Sequence, residues 1–204
     1  VVAGTAIAFA TVAIPLQLRH QWITIGWALE GTALAWLYRP IRHRGLLLWS
    51  VTLLAIVFVR LAVNPEVFGY EARGARIFNW YLYTYLIAGA SMLLSAFWLS
   101  TTEDRIVAAL PRASALLPAA GVILLFLLLN IEIADFFATG QAIAFRFGVT
   151  IAQDLTYTIG WLLFGLGLLT AGIYLRHRAG RVTAIALIAV TACKGFLYDM
   201  GSLG

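Results

Sequence analysis

Residues Ala115–Phe137 read ALLPAAGVILLFLLLNIEIADFF, and this stretch decides the class of fold. Its middle carries no charged side chain. A helix of roughly 20 such residues, rising about 1.5 Å per residue, crosses a hydrocarbon core about 30 Å thick. The apolar residues are consecutive rather than alternating, which argues against the strand pattern of a transmembrane barrel. The stretch therefore predicts a membrane-spanning helix.

The composition of the whole chain agrees with this prediction. Of 204 residues, 62% are apolar and 11% are charged, whereas an ordinary soluble domain has roughly 45–50% apolar and about 25% charged residues. So few charges, with apolar residues in runs, cannot supply the polar surface of a water-soluble globule. The composition indicates an integral membrane protein whose first partner is the lipid bilayer.

Seven runs are long and apolar enough to be spans. A backbone in lipid must satisfy its hydrogen bonds internally, and the helix does so within one segment. We therefore predict an all-α, polytopic transmembrane helix bundle of about seven spans, forming a single domain over residues 1–204. The predicted spans are Val1–Leu18, Trp22–Tyr38, Leu46–Val63, Phe78–Leu99, Ala115–Phe137, Leu155–Leu175 and Val182–Tyr198.

The arginines between the spans predict the orientation, because short cytoplasmic loops carry an excess of Lys and Arg. The loops after the second, fourth and sixth spans hold eight arginines, and the opposite loops hold four. Residue 1 is therefore predicted on the cytoplasmic side and residue 204 on the outer side. The eight are Arg39, Arg42, Arg44, Arg105, Arg112, Arg176, Arg178 and Arg181, and the four are Arg19, Arg73, Arg76 and Arg146.

Glu30 is the deepest ionisable residue of the predicted bundle. It lies eight positions after Trp22 and eight before Tyr38, about 12 Å from either end of the helix. A carboxylate at that depth must be protonated, paired or exposed to a water-filled cavity, and such residues often mark functional paths. The alternative is a structural role, in which Gly26 and Gly31 permit close helix packing around a hydrogen-bonded glutamate.

A second group of polar residues lies toward the predicted outer side. Glu132 and Asp135 are three residues apart, so they share one face of a helix, while Asn130 lies nearer the opposite side. Two acids on one face need a basic partner. Lys194, near the end of the last span, and Arg60, near the end of the third, are on the same side.

Two further segments extend this group. Asp154 begins the sixth span, where it suits the N-cap or the first turn. Lys194 and Tyr198 are four residues apart on the last helix, and Asp199 follows. The set is either a network of ion pairs and caps that joins the last three helices or a site for a cation, a proton or a polar headgroup. Its members are Arg60, Glu132, Asp135, Asp154, Lys194, Tyr198 and Asp199.

The sequence predicts no cofactor and no metal site. A haem between helices needs two ligands inside the spans, but His20, His43 and His177 all lie in loops. A retinal protein would need an acidic residue on the third helix and another one turn before the lysine of the last helix. The third predicted span of this chain has no acidic residue, and Ile188 and Val190 stand where the second acid is expected. The basic residues form no continuous face with interleaved aromatics, so nucleic acid is not an expected partner.

No Ser/His/Asp set and no Glu/His metal set falls on one predicted face, which disfavours an enzyme. The acidic residues keep that alternative open. The single cysteine, Cys193, cannot form an intrachain disulfide.

Four stretches together resemble a bacterial family of predicted multi-span membrane proteins known as domain of unknown function 2339. They are FATVAIPL from Phe9 with WALEG from Trp27, then NIEIADFF from Asn130, DLTYT from Asp154, and KGFLYD from Lys194. The resemblance implies a segment of a longer protein in the bacterial inner membrane. It transfers no activity and no catalytic residue, but Glu30, Glu132, Asp135, Asp154, Lys194 and Asp199 all lie in the matching stretches.

The hypothesis that follows is a membrane protein that binds or transports a small polar or lipid-linked solute. Its outward-facing cavity would be floored by Glu30 and rimmed by the acids and Lys194. The alternative is a structural or accessory subunit of a larger membrane complex, with no transport of its own. Other membrane protein subunits are partners on that alternative.

Overall fold

The structure is a computed structural model that describes residues 21–63, 78–100, 111–138 and 150–196. Those residues form helices, turns and helix ends, with no strand among them, which confirms the all-α class. The helices are α1 (Gln21–Tyr38), α2 (Arg44–Ala62), α3 (Trp80–Ser100), α4 (Pro111–Phe137), α5 (Ile151–Tyr174) and α6 (Arg178–Lys194).

The chain divides into two compact units, residues 1–128 and 129–204. The first unit contains α1 to α3 and the part of α4 up to Leu128. The second contains the rest of α4 with α5 and α6. The single domain over residues 1–204 stays a prediction.

In the first unit, α1 packs against both α2 and α3. The α1–α2 contact is close because Gly31 has no side chain: a Cβ there would lie 3.0 Å from Cγ of Leu54. At this contact the hydroxyl of Ser50 donates a 2.7 Å hydrogen bond to the carbonyl of Gly31. A small residue on one helix thus allows a side chain of the next to reach its backbone, as in other membrane helix pairs.

Buried hydroxyl groups join α1 to α3. Thr32 donates to the carbonyl of Ala28, one turn earlier, at 2.8 Å and approaches the carbonyl of Ser91 at 3.4 Å. Ser95 donates to the Thr32 hydroxyl at 3.5 Å. On the other side of α3, the phenol of Tyr85 donates at 2.8 Å to the carbonyl of Leu61 in the last turn of α2. The last four carbonyls of a helix lack intrahelical partners, and Tyr85 provides the donor for one of these carbonyls.

The contact between α3 and the first part of α4 depends on two glycines. A Cβ on Gly121 would lie 3.0 Å from the carbonyl oxygen of Gly89 and 3.0 Å from Cγ of Leu93. The nearest atom of Gly89 is backbone, which cannot move aside as a flexible side chain can. Glycine at position 121 therefore sets the distance between these two helices.

In the second unit, α5 and α6 pack against each other along their length and are joined by a tight turn. Arg176 adopts the left-handed conformation at φ 53°, and the His177 amide donates at 2.9 Å to the carbonyl of Gly172. This is the bond pattern of a helix C-terminus closed by a left-handed residue. Gly172 allows it, since a Cβ there would lie 2.9 Å from the Arg181 amide nitrogen.

Two histidines that the sequence placed in loops are helix caps. Nδ1 of His43 accepts a 3.1 Å hydrogen bond from the amide of Gly45 at the start of α2. Nδ1 of His177 accepts a 3.1 Å bond from the amide of Gly180 at the start of α6. Each satisfies an amide that the helix itself leaves without a partner.

Four of the described helices are long and apolar enough to cross a membrane: Arg44–Ala62, Trp80–Ser100, Leu116–Phe137 and Ile151–Tyr174. They coincide with the third to sixth predicted spans. The second and seventh predicted spans form α1 and α6, which are helical but not among the four. Glu30 and two threonines reduce the apolar character of α1, and α6 has only 17 residues. The first predicted span, Val1–Leu18, lies outside the described residues.

Apolar side chains are exposed along these helices, as a lipid environment requires. The exposed residues follow each helix for several turns rather than gathering at one spot. Examples are Leu48, Ile56 and Val59 on α2, Leu86 and Phe97 on α3, and Ile159, Leu163 and Ile173 on α5.

The close contact at Gly121 predicts a specific sensitivity to substitution. We expect Gly121→Val to lower the free energy of unfolding by about 1–3 kcal/mol, the usual cost of overpacking. Gly167→Val is the matched control, because a Cβ on Gly167 meets nothing within 4 Å. Thermal unfolding of the two purified variants in detergent checks this. Equal stability of the two variants would contradict the glycine contact.

Candidate functional site

The polar residues of the second unit meet where the start of α5 lies beside the end of α6. Lys194 is the last residue of α6 and is half-buried. Its Nζ donates to the hydroxyl of Thr158 at 2.9 Å and to the backbone carbonyl of Asp154 at 3.3 Å. We call Asp154, Thr158 and Lys194 the lysine cluster.

Asp154 and Thr158 share a face of α5 because they are four residues apart. The Thr158 hydroxyl donates to the Asp154 carbonyl at 3.1 Å while it accepts from Lys194. The Asp154 carbonyl thus accepts hydrogen bonds from two side chains. Both oxygens that these bonds bring to the ammonium group are neutral, one from the backbone and one from a hydroxyl.

Asp154 lies in the first turn of α5 and is only 7% exposed, which confirms its predicted first-turn position. The N-cap itself is Thr150, whose hydroxyl accepts a 3.2 Å bond from the amide of Gln153. The partial positive charge of a helix N-terminus stabilises a carboxylate in the first turn. Gln153 and Tyr157, on either side of Asp154 in the sequence, are buried too.

The polar face of α5 continues one turn beyond Thr158. The indole of Trp161 donates a 2.9 Å hydrogen bond to the amide oxygen of Asn130 on α4. Trp161 also contacts Tyr157 edge to face, with ring centroids 6.5 Å apart. Next to this bond, a Cβ on Gly160 would lie 3.1 Å from Ile133. Asn130 therefore joins α4 to α5 at a point where a small residue lets the helices approach.

Glu132 and Asp135 lie near the end of α4, where the helix is continuous, so they do share a face as predicted. Both are half-buried, and both interact with other residues. They belong to the second unit, as the lysine cluster does.

The other four predicted site residues are not among the described residues of the second unit. Glu30 is half-buried in the middle of α1, and Arg60 is exposed in the last turn of α2; both belong to the first unit. Tyr198 and Asp199 lie outside the described residues. The structure thus brings together Asp154 and Lys194 from the predicted set.

Four residues that form hydrogen bonds in this region were not singled out as site residues from the sequence. Thr158, which accepts from Lys194, was detectable as the residue four positions after Asp154. Thr150 was detectable as a hydroxyl residue just before an apolar run. The bond between Trp161 and Asn130 had no sequence signal, because it depends on how α4 and α5 pack.

Within the described ranges, no group of three His, Cys, Asp or Glu side chains could hold a metal ion. The lysine cluster can offer a ligand charge and hydrogen bonds. An ammonium group that donates to neutral oxygens can exchange one of them for a phosphate or carboxylate oxygen, to which it is attracted more strongly. The neighbouring carboxyl group of Asp154 can in turn attract a cation.

Comparison with known proteins identifies one family. The family model described as "Predicted membrane protein (DUF2339)" matches residues 40–204. Searches of curated proteins and of solved structures found no match.

The contacts of Lys194 predict a coupling that a double-mutant cycle can measure. We expect Lys194→Met and Thr158→Val to show a coupling free energy of about 1 kcal/mol in unfolding measurements, since the two side chains bond directly. Thr156→Val is the control, because the Thr156 hydroxyl donates at 2.7 Å to Ala152 within its own helix. A coupling of Lys194 to Thr156 as large as its coupling to Thr158 would contradict the observed contact.

Proposed function

We propose that this chain, which belongs to the DUF2339 family of predicted membrane proteins, lies in the bacterial inner membrane. We propose that it binds a small polar or lipid-linked solute there or transports it across the membrane. The lysine cluster is the proposed binding site. Glu132 and Asp135, on the same unit, are proposed to contribute acidic groups to an outward-facing polar cavity.

The observation that carries this proposal is the position of Lys194 beside Asp154. A half-buried ammonium group and a carboxyl-bearing residue that is 7% exposed lie together at the ends of two apolar helices. Ionisable groups are costly among apolar helices and often mark solute pathways. Since the two side chains bear opposite charges, a zwitterionic solute such as a phosphoethanolamine headgroup fits them best.

One observation favours a second candidate, the structural or accessory subunit. The bonds of Lys194 run from α6 to the backbone and hydroxyl of α5, so they also fasten two helices together. A lysine near a helix C-terminus is favourable in itself, because it faces the negative end of the helix dipole. On this candidate the protein packs on other membrane subunits and moves no solute.

Binding of three soluble probes distinguishes the two candidates. Glycerophosphoethanolamine carries both charges, glycerol phosphate only the negative one, and ethanolamine only the positive one. With purified protein, we expect the first to raise the melting temperature by about 3–6 °C when it exceeds its dissociation constant about tenfold. The other two should raise it less. Lys194→Met should abolish the rise, while Lys194→Arg keeps part of it.

Two results would overturn the binding proposal. One is an unchanged response of the folded Lys194→Met protein together with an unchanged response of the Glu132→Gln protein. The other is the lack of any response in the wild-type protein. If Lys194→Met lowers the yield of folded protein, and the protein that does fold shows the same rise in melting temperature as the wild type, the structural subunit is supported instead.

We further propose that α1 and α6 cross the membrane with the four apolar helices, and that the arginine-rich turns before α2 and α6 are cytoplasmic. Single cysteines in a Cys193→Ser background test the sidedness. A membrane-impermeant maleimide should label Ile151→Cys in intact spheroplasts, but Arg42→Cys and Arg178→Cys only after lysis. Labelling of Arg42→Cys or Arg178→Cys before lysis would contradict this orientation.

A further inference from the structure

An open groove of about 540 Å³ runs along the first unit between α1 and α2. Trp27 lines it from α1, and the residues that line it from α2 are Val51, Thr52, Ala55, Ile56, Val59 and Arg60. The lining is apolar except for the hydroxyl of Thr52 and the charged Arg60, and it includes no acidic residue. The groove belongs to the first unit, whereas the lysine cluster belongs to the second.

The length and direction of the groove match one leaflet of a bilayer. From Val51 to Arg60 the helix rises about 13 Å, and half of a hydrocarbon core about 30 Å thick is about 15 Å. Arg60 lies in the last turn of α2, which is one of the four helices long and apolar enough to cross a membrane. The charged end of the groove is therefore at the depth of the headgroups, and the apolar end points toward the middle of the bilayer.

The charge of the groove selects its occupant. The guanidinium of Arg60 is exposed, and it presents paired N–H donors that match a phosphate group. A long basic side chain near a helix end extends toward the interface while its stem covers apolar surface. A zwitterionic lipid gains less here, because its own cation would lie close to the arginine.

The lining of the groove suits a hydrocarbon chain that ends in an anionic group, because apolar side chains lead to a single charged one, Arg60. A single extended hydrocarbon chain is narrower than a helix and needs no polar partner within the groove. We propose that the groove binds one acyl chain of an anionic phospholipid, with the headgroup phosphate on Arg60.

Fluorescence quenching at Trp27 tests this proposal. The wild-type protein is reconstituted in phosphatidylcholine vesicles that contain a minor fraction of phosphatidylglycerol with brominated chains. A second set contains the same fraction of brominated phosphatidylcholine. The difference between the wild type and Trp27→Phe isolates the signal of this tryptophan. We expect brominated phosphatidylglycerol to associate at Trp27 about fivefold more strongly than brominated phosphatidylcholine.

Four variants locate the site. Arg60→Gln should reduce the fivefold preference to about onefold, and Arg60→Lys should keep part of it because the charge remains. Arg44→Gln is the matched control: Arg44 is exposed at the opposite end of the same helix, so its loss should leave the preference unchanged. Ala55→Phe places a ring in the groove and should weaken quenching by both lipids.

Three results would overturn the proposal. An equal response to the two lipids in the wild type would make the groove an ordinary lipid contact. A preference that survives Arg60→Gln would place the anion site elsewhere. Protection of Trp27 from both brominated lipids would mean that a protein segment, rather than a lipid, covers the groove.

Discussion

The need to satisfy polar groups inside the protein is the constraint on which the rest of this structure depends. In hydrocarbon there is no water to accept or donate a hydrogen bond, so each backbone group needs a partner within the chain. Helices meet this need except at their ends, and side chains supply part of the rest. Tyr85 donates to the last turn of α2, and His43 and His177 accept from the first turns of α2 and α6. The residues that perform these tasks are among the few polar ones in an otherwise apolar chain.

The same constraint explains how the helices attach to each other. Lipid is as apolar as leucine, so moving a leucine from lipid to another helix stabilises the pair little. Close packing and interhelical hydrogen bonds therefore hold the helices together. Gly31 and Ser50 show the two acting together, because the missing side chain on α1 lets the hydroxyl on α2 reach the backbone. Lys194 and Thr158 repeat the arrangement with a charged donor in the second unit. A cluster that could bind a solute is thus built from the same kind of contact that holds helices together.

The sequence predicted the features that depend on residues close together in the chain, and it did not predict the contacts between residues of different helices. The described helices lie close to the predicted spans, since a run of apolar residues is a local property. The first-turn position of Asp154 followed from its place before such a run. The acids on α4 were expected to need a basic partner, and the sequence offered Lys194. Lys194 donates to a carbonyl and a hydroxyl of α5, and no local pattern specifies a backbone acceptor on another helix.

By itself, then, the amino-acid sequence determined that the protein is helical and membrane-embedded, which residues form most of its helices, and which ionisable groups lie among apolar neighbours. These properties depend on residues near each other in the chain, through hydropathy and helical spacing. Only the tertiary structure decided that Lys194 contacts the face of Asp154 and Thr158. It also decided that Trp161 bonds to Asn130, and that Arg60 lies at one end of a groove that Trp27 lines too. Each of these pairs residues from two different helices, and the register between helices is set by where glycines and hydroxyl groups allow close approach.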